Sequence, residues 1–140
     1  MSRIFWDTNL FIYLFEDYGM LSERTAQLRI AMRTRGDQLL TSTLTLGEVL
    51  VKPLEKHDDE LCRKYEAGIA SSALLIPFDE KAAKIYAKLR CDRSLRAPDA
   101  IQFACAASVG VDLFLTNDAR LSGKLVEGIQ FISSLERAPI

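Results

Sequence analysis

Short apolar runs alternate along the chain with longer segments whose apolar residues recur at helical spacing. Each run has the length of a strand, and most are rich in β-branched and aromatic residues. They predict strands at residues 4–6, 38–42, 73–77, 111–116 and 129–132. Strands that alternate with helices favour an α/β fold in which a five-stranded parallel sheet carries helices on both faces.

The intervening segments contain residues that typically begin and end helices. Ser22 is predicted to cap a helix that stops at Gly36, and Asp79 to cap another. Pro53 is predicted to interrupt a helix that starts near Thr45. The helix that follows Pro98 is apolar almost all round, so we expect it to pack deep against the sheet. The remaining helices are predicted at 10–15, at 58–70 and, as a short one, through Leu121.

Composition limits the function classes. The chain has 140 residues, 49% of them hydrophobic, which predicts one globular domain over 1–140. Its net charge of −1 provides no overall positive field for nucleic acid, so a polyanion must be held by local basic residues or bound cations. Three dispersed cysteines without a C-x-x-C pair indicate neither a disulfide framework nor a zinc site. We expect a cytoplasmic protein with no signal peptide and no membrane association.

Four acidic residues are predicted to meet at one edge of the sheet. Asp7 and Asp118 follow the first and fourth strands directly. Glu48 lies in the first turn of the helix that leaves the second strand, and Asp99 opens the helix that feeds the fourth. Right-handed connections bring all these positions to the carboxyl edge. If the first and fourth strands are neighbours, the acids surround one crevice.

Each acid also has a simpler interpretation. Asp7 and Asp118 suit helix N-caps, Glu48 suits the end of a capping box that starts at Thr45, and Asp99 suits a helix dipole. The four coincide only if they share a function. Clustered carboxylates raise one another's pKa unless a cation lies between them, and oxygen-only ligands favour Mg²⁺ or Mn²⁺.

The ordered set of motifs resembles the PIN domain, and within it the small VapC-type toxins of toxin-antitoxin pairs. The resemblance covers nearly the whole chain and rests on Asp7-Thr8-Asn9, Ser42-x-x-Thr45-x-x-Glu48, Pro98-Asp99-Ala100 and Thr116-Asn117-Asp118. It implies a three-layer PIN-like sandwich and a metal-dependent endoribonuclease. Carried over by position, it makes Asp7, Glu48, Asp99 and Asp118 the catalytic and metal-binding acids, supported by Thr8, Asn9 and Thr116.

The mechanism expected from these acids is hydrolysis of an RNA phosphodiester bond by a metal-activated water. Arg93 and Arg96, just ahead of Asp99, are candidates for holding RNA phosphates, as is Lys52, although each suits a solvated surface equally well. The resemblance further implies a cognate antitoxin that occupies the site, and a homodimer.

Two other function classes remain open at this stage. One is a phosphatase or phosphotransfer domain with an acidic pocket, which is disfavoured because Asn9 stands where a second acid is needed. The other is an RNA- or protein-binding module on the same scaffold, which the complete acid set disfavours. His57, the only histidine, lies among charged residues and suits a solvated surface better than catalysis.

Overall fold

Five parallel strands form one sheet in the computed structural model, which describes residues 1–138. The strand order is β3-β2-β1-β4-β5, so the first and fourth strands are neighbours as predicted. The parallel α/β fold class is confirmed. The strands are β1 (Arg3–Trp6), β2 (Gln38–Ser42), β3 (Leu74–Ile76), β4 (Val111–Thr116) and β5 (Ile129–Ser134).

Helices cover both faces of the sheet. Phe5 and Phe114 point to one face, where they pack with Phe103 of α6. Trp6 and Leu115 point to the other, where α1 to α4 lie. The helices are α1 (Thr8–Phe15), α2 (Met20–Arg35), α3 (Thr43–Glu55), α4 (Asp59–Ser72), α5 (Glu80–Leu89) and α6 (Ala97–Val109).

The apolar helix α6 lies deep in the structure, as predicted. Ala100, Phe103, Ala104, Cys105 and Ala106 are fully buried against the sheet. Gly110 ends the helix with a φ of 75°, a left-handed conformation that glycine adopts without strain. The turn delivers the chain directly into β4, so α6 begins at the carboxyl edge of the sheet, where Asp99 lies.

The predicted start of α2 at Ser22 is wrong. The helix begins at Met20, after Gly19 turns the chain with a φ of 64°. The Ser22 hydroxyl does not cap the helix. It donates to the carbonyl of Glu16 at 2.7 Å and accepts from the N–H of Tyr18 at 2.8 Å, which stabilises the loop ahead of the helix.

Pro53 does not interrupt α3, contrary to the prediction. The helix runs through Pro53 to Glu55, and the proline ring is buried. The Lys56 N–H still bonds the carbonyl of Lys52 at 3.2 Å, so the helical pattern resumes beyond the missing donor. Burial of the ring offsets part of the lost backbone bond.

The short helix predicted through Leu121 is also wrong. This segment forms successive turns, with the Leu121 N–H bonded to the carbonyl of Asp118 at 3.0 Å. The Asp118 carboxylate accepts the N–H of Arg120 at 3.0 Å, and such a local bond competes with helix formation.

Within residues 1–138, no helix is long and apolar enough to cross a bilayer.

Candidate active site

The four predicted acids lie at the edge of the sheet where the parallel strands end. Asp7 follows β1 and caps α1, and Asp118 follows β4. Asp99 occupies the first turn of α6, and Glu48 reaches from α3 to Thr8 of α1. Four separate elements therefore deliver acidic side chains to one region, because each element starts or ends at the same edge.

Three donors hold the Asp7 carboxylate. The Thr8 N–H donates to Oδ1 at 2.8 Å, which makes Asp7 the N-cap of α1. The Thr116 hydroxyl donates to Oδ2 at 2.8 Å from the end of the neighbouring strand. The Gln102 amide donates to Oδ1 at 3.3 Å from α6. Asp7 is thus both a helix cap and a carboxylate fixed from two further elements.

Burial and mutual repulsion act on the acids together. Burial raises the pKa of Asp7 above its ordinary value, and the charges of Asp99 and Glu48 raise it further against opposing hydrogen bonds. Burial also raises the pKa of Asp99, with a further contribution from Asp118. The carboxylates are close enough to disfavour one another's ionisation, which is the electrostatic situation that a cation relieves.

Glu48 is oriented by Thr8. The Thr8 hydroxyl donates to Glu48 Oε1 at 2.6 Å. The capping-box interpretation of Glu48 is wrong, because α3 is capped by Ser42, whose hydroxyl accepts the N–H of Thr45 at 3.3 Å. The prediction that Glu48 lies in the first turn is also wrong, because α3 begins at Thr43. Glu48 lies in the second turn, and its carboxylate still reaches Thr8.

Arg120 contacts the other pair of acids. Its Nε donates to Asp118 Oδ1 at 2.9 Å, Nη2 pairs closely with Oδ2, and Nη2 lies 3.9 Å from Asp99 Oδ2. The hydrogen bond from Arg120 holds the pKa of Asp118 below its usual range. The guanidinium therefore supplies positive charge at the crevice from within the chain, which sequence reasoning did not identify.

A buried polar layer lies beneath the acids and centres on Gln102. Its Nε2 lies 2.8 Å from the Thr45 hydroxyl and 3.1 Å from that of Thr8, and its Oε1 accepts from Ser42. Sequence reasoning missed this residue. The signal that could have found it is a single amide within the otherwise apolar face of α6, since a buried polar side chain needs partners.

The predicted supporting residues differ in their contacts. Thr116 bonds Asp7 and also accepts the N–H of Asp118 at 3.0 Å, so it connects two acids. Asn9 does not contact the acids through a hydrogen bond in the described part of the chain, and its Oδ1 is buried without a partner. Asn117, which lies between Thr116 and Asp118, donates to the Tyr13 hydroxyl at 2.8 Å.

The predicted basic loop lies beside Asp99. Arg93 and Arg96 are exposed, and the positive charge of Arg96 acts on both Asp99 and Asp118. Lys124 fixes the loop by donating to Asp92 at 3.0 Å. Arg96 is thus close enough to act on the acids, whereas no contact connects Arg93 with them in the described part of the chain.

Lys52, the third predicted RNA contact, pairs with an acid that is not one of the four. Its ammonium pairs with Glu16 at 3.0 Å, and Glu16 also accepts from the Tyr65 hydroxyl at 3.3 Å. The Lys52 side chain remains 57% exposed, so solvent screens the pair.

Comparison with protein families supports the fold described above. The chain matches the model of the PIN domain over residues 4–124. It belongs to the PIN domain family. The match includes every acidic residue of the crevice, from Asp7 to Asp118. A search of curated proteins finds no match.

Solved structures share the PIN fold of this chain. VapBC2 from Rickettsia felis bound to promoter DNA has a chain with a TM-score of 0.75 and 13% identity, over 94% of this chain and 98% of that one. A chain of DNA-bound VapBC from Salmonella typhimurium has a TM-score of 0.73 and 21% sequence identity, and the match covers 96% of this chain and 99% of that one. A chain of a toxin-antitoxin complex from Klebsiella pneumoniae has a TM-score of 0.65 and 23% sequence identity, and the match covers 90% of this chain and 94% of that one. At these identities the likeness establishes the fold.

The acids of this PIN domain suit a hard divalent cation in their chemistry. All the candidate ligands are carboxylate oxygens, and the pKa values of Asp7 and Asp99 are raised, mainly by burial and further by the charges of neighbouring acids. Within residues 1–138, no three acidic, histidine or cysteine side chains are grouped closely enough to hold a metal as they stand. Glu48 bonds Thr8, and Arg120 pairs with Asp118. The positive charge of Arg120 therefore opposes the approach of a cation to Asp118.

Proposed function

We propose that this PIN domain is a metal-dependent endoribonuclease and the toxin of a toxin-antitoxin pair. The observation that carries the proposal is the convergence of acids from four elements, with Asp7 held by Thr116 and Glu48 held by Thr8. Helix capping explains the bond from Thr8 to Asp7, but it explains neither the bond from Thr116 nor the orientation of Glu48.

Asp7, Asp99 and Asp118 would hold Mg²⁺ or Mn²⁺, with Glu48 as a further ligand or as a base for water. A cation bound there supplies a nucleophilic water at neutral pH and neutralises charge on the attacked phosphate. The hydroxyls of Thr8 and Thr116 orient the carboxylates, as outer hydrogen bonds do around metal ligands.

The exposed guanidinium of Arg96 lies beside these acids and would bind an RNA phosphate. Single-stranded or looped RNA is the proposed substrate class, because unpaired bases can turn into a crevice.

The test is cleavage of end-labelled single-stranded RNA by the full chain, purified free of partners, with Mn²⁺ or Mg²⁺. We expect cleavage that EDTA abolishes and that Asp7→Asn and Asp99→Asn each reduce at least about a hundredfold, since each removes a ligand. Glu127→Gln is the matched control, because Glu127 is an exposed acid just ahead of β5 at the opposite edge of the sheet. It should cleave at the wild-type rate.

Other outcomes are equally informative. Equal cleavage by all variants would identify a contaminating nuclease. If a broad RNA panel is left intact and calorimetry detects no Mn²⁺ binding, the proposal fails, and a binding module on the PIN scaffold becomes the better interpretation. Products ending in a 2′,3′-cyclic phosphate would exclude attack by water on the phosphodiester bond.

The toxin role is supported by structural likeness to chains of toxin-antitoxin complexes and by the acidic crevice, which suits a basic antitoxin segment. Inducible expression tests it. Wild type should arrest bacterial growth, whereas Asp7→Asn at equal abundance should not. A partner recovered with the protein should block RNA cleavage when it is added back.

The proposed homodimer is checked by light scattering of the partner-free protein, which should report twice the mass of one chain.

A further inference from the structure

Gln102 has an amide whose orientation is determined at both ends. The Ser42 hydroxyl accepts the N–H of Thr45, so its own proton is free to donate to Gln102 Oε1. The other end of the amide faces the Asp7 carboxylate, which accepts hydrogen bonds when ionised. The NH₂ group therefore points toward the acidic crevice, and the side chain is only 2% exposed.

The direction of the hydrogen bonds extends from Gln102 to Glu48. The Thr8 hydroxyl has one proton, and it donates this proton to Glu48 Oε1 at 2.6 Å. The Thr8 oxygen can then only accept from Gln102 Nε2, which lies 3.1 Å away. One amide thus contacts Asp7 directly and Glu48 through a single hydroxyl.

The second set of contacts anchors the same amide. The Thr41 hydroxyl donates to the carbonyl of Trp6 at 2.8 Å and lies 2.8 Å from the Thr45 oxygen. Because the proton of Thr41 is already used, Thr45 donates to Thr41 and its oxygen accepts one N–H of Gln102 at 2.8 Å. The nitrogen carries only two protons, so its other N–H is shared between the Thr8 oxygen at 3.1 Å and Asp7 Oδ1 at 3.3 Å. The hydroxyls of Thr8, Thr41 and Thr45 all belong to buried residues, so water does not readily replace these hydrogen bonds.

We propose that Gln102 is a positioning residue that sets the relative placement of Asp7 and Glu48 for the reaction at this site. It does so from α6, whereas Asp7 follows β1 and Glu48 lies in α3, so the amide connects elements that share no backbone hydrogen bond at the crevice. The catalytic consequence rests on the endoribonuclease function proposed above, but the geometric consequence does not.

The experiment replaces Gln102 by residues of similar volume without the amide. Gln102→Met and Gln102→Leu remove the donors, and Ser108→Ala is the matched control. Ser108 is a buried polar residue of the same helix whose hydroxyl bonds only the carbonyl of Cys105, at 2.7 Å. Circular dichroism and thermal unfolding establish that each full-length variant is folded.

We expect Mn²⁺ binding, measured by calorimetry, to weaken about 10- to 100-fold in the Gln102 variants, the range typical for residues that orient metal ligands. The kcat for RNA cleavage should fall more than KM changes, because RNA phosphates are not bound by Gln102. Ser108→Ala should match wild type in both. Mn²⁺ affinity and kcat within twofold of wild type would overturn the proposal.

A crystal structure of metal-free Gln102→Met separates this inference from the proposed function. We expect the Thr8 hydroxyl to leave Glu48 while the backbone of α1 and α3 stays in place. Retention of the Thr8–Glu48 bond and of the Asp7 position would overturn the positioning role, even if wild type proved to be no nuclease. If wild type neither binds Mn²⁺ nor cleaves RNA but the bond is lost in Gln102→Met, the nuclease proposal fails and the positioning role stands.

Discussion

Arg120 donates from Nε to Asp118 Oδ1 at 2.9 Å, and this pair gives the crevice a positive charge from its own chain. The same guanidinium lies 3.9 Å from Asp99. A divalent cation that binds these acids has to compete with the arginine. We therefore expect Arg120 to weaken the binding of a divalent cation by these acids.

Replacing Arg120 should tighten metal binding. We expect Arg120→Gln to lower the Kd for Mn²⁺ only roughly two- to fivefold, because solvent screens an ion pair whose arginine is half exposed. Calorimetry at low ionic strength measures the change. The control is Arg63→Gln, which removes an exposed positive charge from α4. Weaker binding by Arg120→Gln would show that the guanidinium does not compete with the cation.

Thr8→Val should impair both the site and the fold. The variant keeps the shape of the side chain but removes the proton donated to Glu48, so we expect kcat for RNA cleavage to fall about 10- to 100-fold. The loss of stability should be about 1–3 kcal/mol, from the buried groups that lose a partner. Urea unfolding and single-turnover cleavage measure the two effects. Thr34→Val, an exposed threonine of α2, should change neither.

Metal binding should weaken as the pH falls. The raised pKa values of Asp7 and Asp99 determine the pH range in which the affinity is lost. Burial is the main cause of both shifts, so protons compete with the cation at a higher pH than for ordinary aspartates. Thr116→Val removes a hydrogen bond that lowers the pKa of Asp7. Its curve of Mn²⁺ affinity against pH should therefore lie at higher pH than that of wild type. Superimposable curves would contradict this assignment.

Asp37 should make the fold sensitive to acid. Burial alone would raise its pKa, but the bonds from the Ser2 N–H and from Arg35 outweigh burial and bring the pKa below 3.8. A carboxyl whose pKa is lower in the folded state stabilises the fold at pH values above its unfolded-state pKa. This contribution is lost as the pH falls through its folded-state pKa.

Urea unfolding at neutral pH and below pH 3.8 measures this contribution. Asp37→Asn should be less stable than wild type at neutral pH, and the difference should shrink in acid. Asp17→Asn, in the exposed loop after α1, serves as the comparison. A difference that stays constant with pH would place the origin of the effect outside the ionisation of Asp37.

Gly128 should resist substitution. It has a φ of 97°, and a Cβ there would lie 2.8 Å from the carbonyl oxygen of Ala107. We expect Gly128→Ala to destabilise the fold by about 1–3 kcal/mol or more, since strain and overlap add. Gly123→Ala is matched, because a Cβ at Gly123 meets nothing within 4 Å. Thermal unfolding should separate the two variants by several degrees.

The strand positions and the edge that carries the acids follow from local pattern and handed connections. Asp79 caps α5 by accepting the Ala82 N–H at 2.9 Å, as its place after an apolar run predicts. Pro53 shows the limit of that reasoning. Its ring is buried by tertiary contacts, and a local rule for helix interruption does not include them.

Gln102 could not be assigned from sequence, because its partners are distant along the chain. It bonds Asp7 from 95 positions away and Thr45 from 57. Neither separation leaves a periodic signal. The pairing of Arg120 with Asp118 is local, but it depends on a turn that replaced the predicted helix, and the direction of a long side chain follows from the turn.

The central pairing of β1 with β4 also orders events during synthesis. Arg3 bonds Asp112, 109 positions later, and the first strand lacks this neighbour until the fourth has left the ribosome. A nascent chain that has already exposed Asp7 and Glu48 holds only half of the acids. The crevice is therefore assembled only when β4 has joined the sheet beside β1, and a shorter nascent chain presents two acids without their counterparts.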